Sequence, residues 1–561
     1  MALDAAKKCL DRSRISEIEK FVAFMHNRKI PWPLPSRTPS QNAAPPDVLD
    51  VLLDLAINWR VALWFDVTVS SSWTRDDERI VIIGEQGGVP ALRMEQLAEL
   101  DDVAYDDVAR NLSAVLSGGR VTLDGATLEE LRRDEAVFRQ TLLSVDEEDE
   151  IYDDLVPLSD VTEVFGNAVS SALWTRLLSK HLNDVINVSS DTKLLIMNER
   201  RFGRVGGLVD STPASRLLNV VGWTFAYAYA WIVNADFGFT SRSALEDLER
   251  ERVLCFVAVQ ESFGIAQALP LYRNTFSQHQ RQEVNDTLSW TTLAVVKSVQ
   301  ASPRIAKSTK TEAQGKIYAL ASSRQLWPPE TYSREGSLDS IYANFTGDDK
   351  NFLQAWLGSR EALRVTLAIP YYDNIMMSRY RWQTGSVLYL YSLNELRLSL
   401  SALLPPSYLR SGSGAMTYAG LGFNLARQVL RSVDLRGRVL DGAGRNTSWW
   451  QLRKPRESPC RLDASRSHAE RRSIADLFAL DVALTAMQKS SERNREKRFL
   501  RLKSLEGLSA TQTFYVSYCS HYCGEPEGRR KCNVAMNGSE FDKSFGCHHL
   551  QQPTPHECIF V

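Results

Sequence analysis

The sequence predicts a mainly helical protein with a smaller α+β part, arranged as two lobes. Helical periodicity dominates from about Met94 to Arg360. Around Asp348 the pattern gives way to shorter segments with more turns, which sets a boundary between residues 1–348 and 349–561. Composition agrees with a folded chain. With 44% hydrophobic, 24% charged and 9% aromatic residues over 561 positions, disorder, collagen and coiled coil are excluded and a sizeable core is available.

The elements follow in order. Residues 10–28 read as a helix, and the Pro-rich PWPLPSRTPSQNAAPP connector ends at Asp47, a good N-cap for the apolar VLDVLLDLAINW. Trp64 to Val69 and Arg79 to Ile83 flank a turn-rich stretch, as the strands of a β-hairpin do. Acidic Asp146 to Glu150 reads as a solvated face or connector. The most apolar window, Leu217 to Val233, is interrupted by Asn219 and crowded with aromatics; it is short for a membrane span and reads as a buried helix. Beyond Asp348, Leu396 to Leu400 reads as a strand ahead of the Pro405-Pro406 break. The Ser411 to Gly414 loop then leads into a helix from about Gly420 to Val433, with Leu421, Leu425, Val429 and Leu430 at helical spacing.

A net charge of -2 leaves no global field to recruit nucleic acid or an anionic membrane. The first twenty residues are charged and amphipathic, with neither an apolar core nor a small-residue cleavage site, so no signal peptide is expected. Six N-x-S/T sequons, at Asn111, Asn187, Asn285, Asn344, Asn446 and Asn537, lean towards a secretory history. Five of the eight cysteines fall after residue 518. Cys519, Cys523, Cys532, Cys547 and Cys558, with His521, His548, His549 and His556, could form a zinc module, but no C-x2-C pair exists. His26, His181, His279 and His468 have no ligand-spaced partner and read as surface or core residues.

Ala415 to Arg438 (AMTYAGLGFNLARQVLRSVDLRGR) resembles the zinc-site helix of the neprilysin and endothelin-converting-enzyme family of zinc metallopeptidases, with Gly420, Gly422, Asp434 and Arg438 in place. Ser386 to Pro406 resembles that family's substrate strand, Ser473 to Asp476 the end of its E-N-x-A-D motif, and Leu505 to Gly524, Ser539 to His549 and Cys558 to Val561 its closing blocks. The resemblance implies a helical first lobe and a thermolysin-like second one. It further implies an extracellular or cell-surface location and disulfides pairing Cys9 with Cys255 and Cys460 with Cys558. The pairing of Cys519, Cys523, Cys532 and Cys547 stays open. The family's N-terminal cysteine-containing block and membrane anchor have no counterpart here, so the first lobe reads as truncated at its start.

The departures decide the expected chemistry. The family's zinc histidines align with Arg427 and Arg431, its water-activating glutamate with Gln428, and its third zinc ligand with Arg472. A guanidinium has five donors and no lone pair for a metal, and an amide does not take a proton from water at neutral pH. Zinc is the family's cofactor; none is expected here. The D-x-H-S-P segment that carries the family's oxyanion-stabilising histidine aligns with Gly524 to Asn537, which has no histidine. The strand residues that clamp the peptide backbone align with Ser386 and Val387, while Asn394 and Glu395 are kept. Asp476, the family's carboxylate behind a zinc histidine, is expected to pair with Arg427 or Arg431.

The resulting expectation is a pseudo-peptidase that binds peptides or a related active peptidase. Two alternatives stand beside it. An active zinc metalloendopeptidase would need ligands the aligned positions do not supply. An anion-binding or intracellular interaction protein would use the convergent arginines, which suit carboxylate or phosphate.

Overall fold

The computed structural model describes residues 2–11, 17–32, 47–71, 79–143, 153–237, 244–322, 351–369, 387–451, 468–493, 506–525 and 528–547, together with 327, 332, 334 and 336–345. The chain divides into two compact units. The first holds Met1–Asp146, Glu150–Leu271 and Pro329–Met377; the second holds Glu147–Asp149, Tyr272–Pro328 and Ser378–Val561. Position 348 falls inside the last stretch of the first unit, because the chain enters the second unit at Tyr272 and returns before leaving for good.

The elements run α1 (Ala2–Leu10), α2 (Ile18–Asn27), α3 (Val48–Leu53), β1 (Asp66–Ser71), β2 (Arg79–Gly84), α4 (Gly88–Ala98), α5 (Asp102–Ser117) and α6 (Gly125–Leu143). Then come β3 (Asp154–Pro157), α7 (Val161–Phe165), α8 (Ser171–Leu182), β4 (Lys193–Ile196), α9 (Glu199–Ser211), α10 (Ala214–Tyr229) and α11 (Ala244–Phe263). Next are α12 (Ile265–Thr275), α13 (Gln278–Ala301) and α14 (Lys307–Ser322), and α15 (Phe352–Thr366) belongs to the first unit again.

The Asp47 carboxylate caps α3 by accepting from Leu49 N at 2.9 Å, as the sequence indicates. The expected hairpin forms, with Val69 opposite Val81. It extends to a four-stranded sheet of order β1-β2-β4-β3, in which β4 runs parallel to β2 and β3 antiparallel to β4. These two strands lie in the stretch read as helical; at four residues each they are too short to interrupt its periodicity. The helix read over residues 10–28 begins at Ile18, and Leu10 instead closes α1.

Every residue of α10 from Val220 to Tyr229 is buried. Trp223 packs on Trp32 and Tyr105 at centroid distances of 5.2 and 5.5 Å, and Phe225 on Phe21 and Phe24 at 5.8 and 5.9 Å. A helix apolar all round is stable only when covered on every side. Among the described residues no single helix is long and apolar enough to cross a membrane. On α9, a Cβ at Gly206 would lie 1.5 Å from the Phe165 carbonyl oxygen, so only glycine admits this contact with α7. A disulfide between Cys9 and Cys255 ties α1 to α11, the pairing the resemblance implies. Cys460 and Cys558 lie outside the described residues, as does the acidic run 146–150.

In the second unit, Ser277 and Gln280 form a capping box that starts α13. β5 (Val387–Leu390) and β6 (Glu395–Leu398) pair antiparallel, turning through Asn394 at φ 47°, a left-handed conformation that asparagine tolerates. Ser413 caps a helical turn over Gly414–Thr417, which passes through a wide turn at Tyr418–Gly422 into the Phe423–Arg431 helix. The helix therefore begins six residues before the expected Gly420. A Cβ at Gly420 would come 2.2 Å from the Ser407 carbonyl oxygen, so the close passage of that backbone requires glycine. Helices His468–Arg493, Ala510–Ser520, Gly528–Ala535 and Ser539–Phe545 complete the described part. A second disulfide joins Cys519 to Cys532, which answers one open pairing; Cys523 and Cys547 are free thiols.

Candidate functional site

The Phe423–Arg431 helix packs its apolar side, Leu425, Ala426 and Val429, into the second unit and turns Arg427, Gln428 and Arg431 towards polar partners. Arg427 Nε lies 3.1 Å from Asp476 Oδ1 on the His468–Arg493 helix, so the expected ion pair is present. The Gln428 amide oxygen accepts from Tyr389 N at 3.0 Å, holding the helix to β5. Arg431 is buried, and its Nε donates to the Tyr391 hydroxyl at 2.8 Å.

That hydroxyl continues a relay. Tyr391 Oη donates to Asp434 Oδ2 at 2.6 Å, while Asp434 Oδ1 accepts from Arg436 N and Gly437 N at 3.0 and 2.8 Å. Burial, reinforced by the Asp434 carboxylate, holds the Tyr391 phenol well above its ordinary range, so it stays a donor. The Arg431 and Arg436 guanidinium groups lie 5.1 and 5.6 Å from the Tyr391 ring centroid. Below the relay, Lys316 of α14 donates to the carbonyl oxygens of Gly437 and Leu440, each at 2.7 Å. Burial lowers the Lys316 ammonium to about 8, against the opposing pull of Asp434 and Asp441.

Near Asp476, Tyr518 and Tyr522 stack edge-to-face at 5.2 Å. Burial, with Asp476 adding to it, pushes the Tyr522 phenol up to about 12 and the Tyr518 phenol further, so neither ionises near neutrality.

Asn394 is buried, accepts from Tyr389 Oη at 2.8 Å and donates to the Lys316 carbonyl at 3.1 Å. Val387 is buried in β5 opposite Leu398. Arg472 lies on the His468–Arg493 helix with its side chain outside the described residues, and Ser386 lies outside them altogether. His521 Nε2 is 2.6 Å from the Pro406 carbonyl oxygen. Among the described residues no group of three or more His, Cys, Asp or Glu is placed to hold a metal ion.

The sequence reading finds Arg427, Gln428, Arg431 and Asp476. It misses Tyr391 and Lys316, which join the cluster only through tertiary placement; Asp434, kept in the quoted motif, was the available signal. A zinc ion needs lone pairs, and this set presents guanidinium donors, a neutral amide already accepting a backbone N–H, and one carboxylate paired with Arg427. The residues at these positions do not fit zinc.

In the second unit a glycine-led helix is held against the β5–β6 hairpin. A family model described as Peptidase family M13 matches residues 2–323, over half of the chain, and the chain belongs to that family. It is 23% identical to neprilysin-2 of Caenorhabditis elegans over 348 residues, 54% of this chain and 45% of the relative. It is 19% identical to endothelin-converting enzyme 1 of Bos taurus over 416 residues, 66% of this chain and 54% of the relative. The chain thus spans about half the length of these relatives. In fold it is similar to the zinc metalloprotease Zmp1 of Mycobacterium tuberculosis, solved with an inhibitor, at TM-score 0.59 and 16% identity, covering 100% of this chain and 88% of that one.

Proposed function

We propose that this chain is a catalytically inactive member of its peptidase family, acting outside the cell by binding peptides or a related active peptidase. The observation that carries the reading is the chemistry of Arg427, Gln428 and Arg431. Each stands where the resemblance puts a zinc ligand or the catalytic base, and each is engaged by a protein partner. Without a metal or a base, water is not activated for attack on a peptide carbonyl. The extracellular part is supported by the Cys9–Cys255 disulfide and by five sequon asparagines, Asn111, Asn187, Asn344, Asn446 and Asn537, that are exposed. The Asp476 carboxylate beside Arg427 favours this reading over an anion pocket, since it already supplies that arginine with negative charge.

Elemental analysis tests it. The natural chain, refolded with zinc and dialysed, is expected to retain none. The fourfold variant Arg427→His, Gln428→Glu, Arg431→His, Arg472→Glu is expected to take up about one zinc per chain, the stoichiometry of a three-ligand catalytic site. One zinc per natural chain, or cleavage of a peptide library that a chelator stops, would overturn the proposal.

A further inference from the structure

In the first unit one histidine is held by partners that fit a single protonation state. His181, on the last turn of α8, is buried, with 6% of its surface exposed. Its Nε2 lies 2.8 Å from Asp50 Oδ1 of α3. Its Nδ1 lies 2.9 Å from Asn58 Nδ2, at the end of the wide turn Asp54–Asn58 that follows α3. Two neighbours fix the orientation of the Asn58 amide. Its oxygen accepts from Arg364 Nε of α15 at 3.0 Å, and its nitrogen donates to Asp54 Oδ1 at 2.8 Å. A guanidinium only donates and a carboxylate only accepts, so the Asn58 nitrogen meets His181 with an N–H. Nδ1 therefore offers its lone pair, and the ring proton sits on Nε2, donating to Asp50. A second proton, on Nδ1, sets N–H against N–H. Flipping the amide to meet it turns the Asn58 NH2 towards Arg364 and the oxygen towards Asp54, breaking two bonds to mend one.

We propose that His181 is an acid-sensitive latch within the first unit: protonation at Nδ1 breaks the bond with Asn58 and releases α8 from the Asp54–Asn58 turn and from α15. The latch is closed at neutral pH and opens as pH falls into the mildly acidic range where an imidazole takes up its second proton. The charged groups around the ring leave the decision to Asn58. Asp50 attracts an imidazolium, but Lys180 Nζ already engages both of its oxygens, at 2.6 and 2.7 Å. Against the opposing effect of burial, the hydrogen bonds from Lys180 and His181 hold the Asp50 carboxyl below its ordinary range, so it stays ionised in mild acid. From α15, Arg364 Nη2 donates to the His181 carbonyl oxygen at 2.8 Å and to Asp184 Oδ1 at 2.6 Å. Asp54 pairs with Arg28 of α2 at 3.6 Å. Asp160, on the Leu158–Asp160 turn that also packs on α8, accepts from Ser159 Oγ at 2.7 Å. Asp50, Asp54 and Asp184 thus each have a cation of their own. The latch belongs to the first unit and operates whether or not the second unit cleaves peptides.

Backbone hydrogen–deuterium exchange of the full chain tests it, read by mass spectrometry at about pH 7.5 and about pH 5.5, either side of the imidazole range, with labelling times scaled to the intrinsic rate. Protection over residues 171–182 and 54–58 is expected to fall about tenfold in acid, the scale of one interior hydrogen bond, while α13 of the second unit is unchanged. His181→Gln, which has no proton to gain, is expected to remove the acid response. Asn58→Asp is expected to reverse it, because a carboxylate there accepts from a protonated Nδ1 and still accepts from Arg364. If either variant does not fold, the other supplies the comparison. An α8 equally protected at both pH values in the natural chain overturns the proposal without any variant. So does an acid response that His181→Gln retains, or one that extends equally to α13.

Discussion

Tyr391 links two residues, accepting from Arg431 and donating to Asp434 through one oxygen. Replacing it with phenylalanine keeps the ring under both guanidinium groups and removes only that oxygen. Tyr391→Phe is expected to cost about 1–3 kcal/mol, read as a lower urea midpoint at unchanged slope, because a buried donor and a half-buried carboxylate each lose a partner. Lys316 makes a pH-dependent prediction. Its pKa is about 8 in the fold against an ordinary 10.5. Between those values the unfolded chain binds more protons, so this residue makes stability rise with pH across that window, while its buried charge weighs against the fold below it. Lys316→Met is expected to flatten that rise in denaturant titrations from about pH 8 to about pH 10.5. Neither role was legible in the sequence. A lysine inside the KSTKTEAQGKIYALAS helix looks like any solvated one until its side chain is seen to reach two carbonyl oxygens.

At the scale of elements, what could be read was what depends on neighbours in sequence. Asp47 before an apolar run gives a cap, and two β-rich runs around a polar turn give a hairpin. What could not be read depends on distant partners: β3 and β4 are strands because each lies beside another strand, and four residues carry no period of their own. The glycines show the same division. Gly420 matched a family frame, but its reason, a Ser407 carbonyl oxygen 2.2 Å from where a side chain would begin, is tertiary. Gly420→Ala is expected to destabilise the second unit by about 1–3 kcal/mol through forced backbone shifts, measured by thermal melting. In the first unit, Cys9→Ser opens the link between α1 and α11. It is expected to cost about 2–5 kcal/mol and to make residues 2–10 an early site of limited proteolysis.

For the whole molecule, family membership was legible because the glycine spacing and the closing blocks keep the family's pattern on either side of Arg427, Gln428 and Arg431. The unit boundaries were not, since a chain that crosses over and returns leaves no composition step at each crossing. Passed through a secretory pathway behind an added signal peptide, the chain is expected to carry glycans at the five exposed sequons. Asn285 is the exception, half-buried on α13 with its amide oxygen accepting from Trp327 Nε1 at 3.1 Å. Endoglycosidase digestion with site mapping checks this, and an occupied Asn285 in folded protein would contradict the packing. The enclosure of α10 bears on the order of synthesis. Its aromatic partners Phe21, Phe24, Trp32 and Tyr105 all leave the ribosome before it does, so a docking surface is waiting when this stretch emerges. Trp356, 5.4 Å from Tyr229, arrives more than a hundred residues later. Until α15 is made, the nascent first unit carries one open seam along its most apolar helix, and that interval is when a chaperone has something to hold.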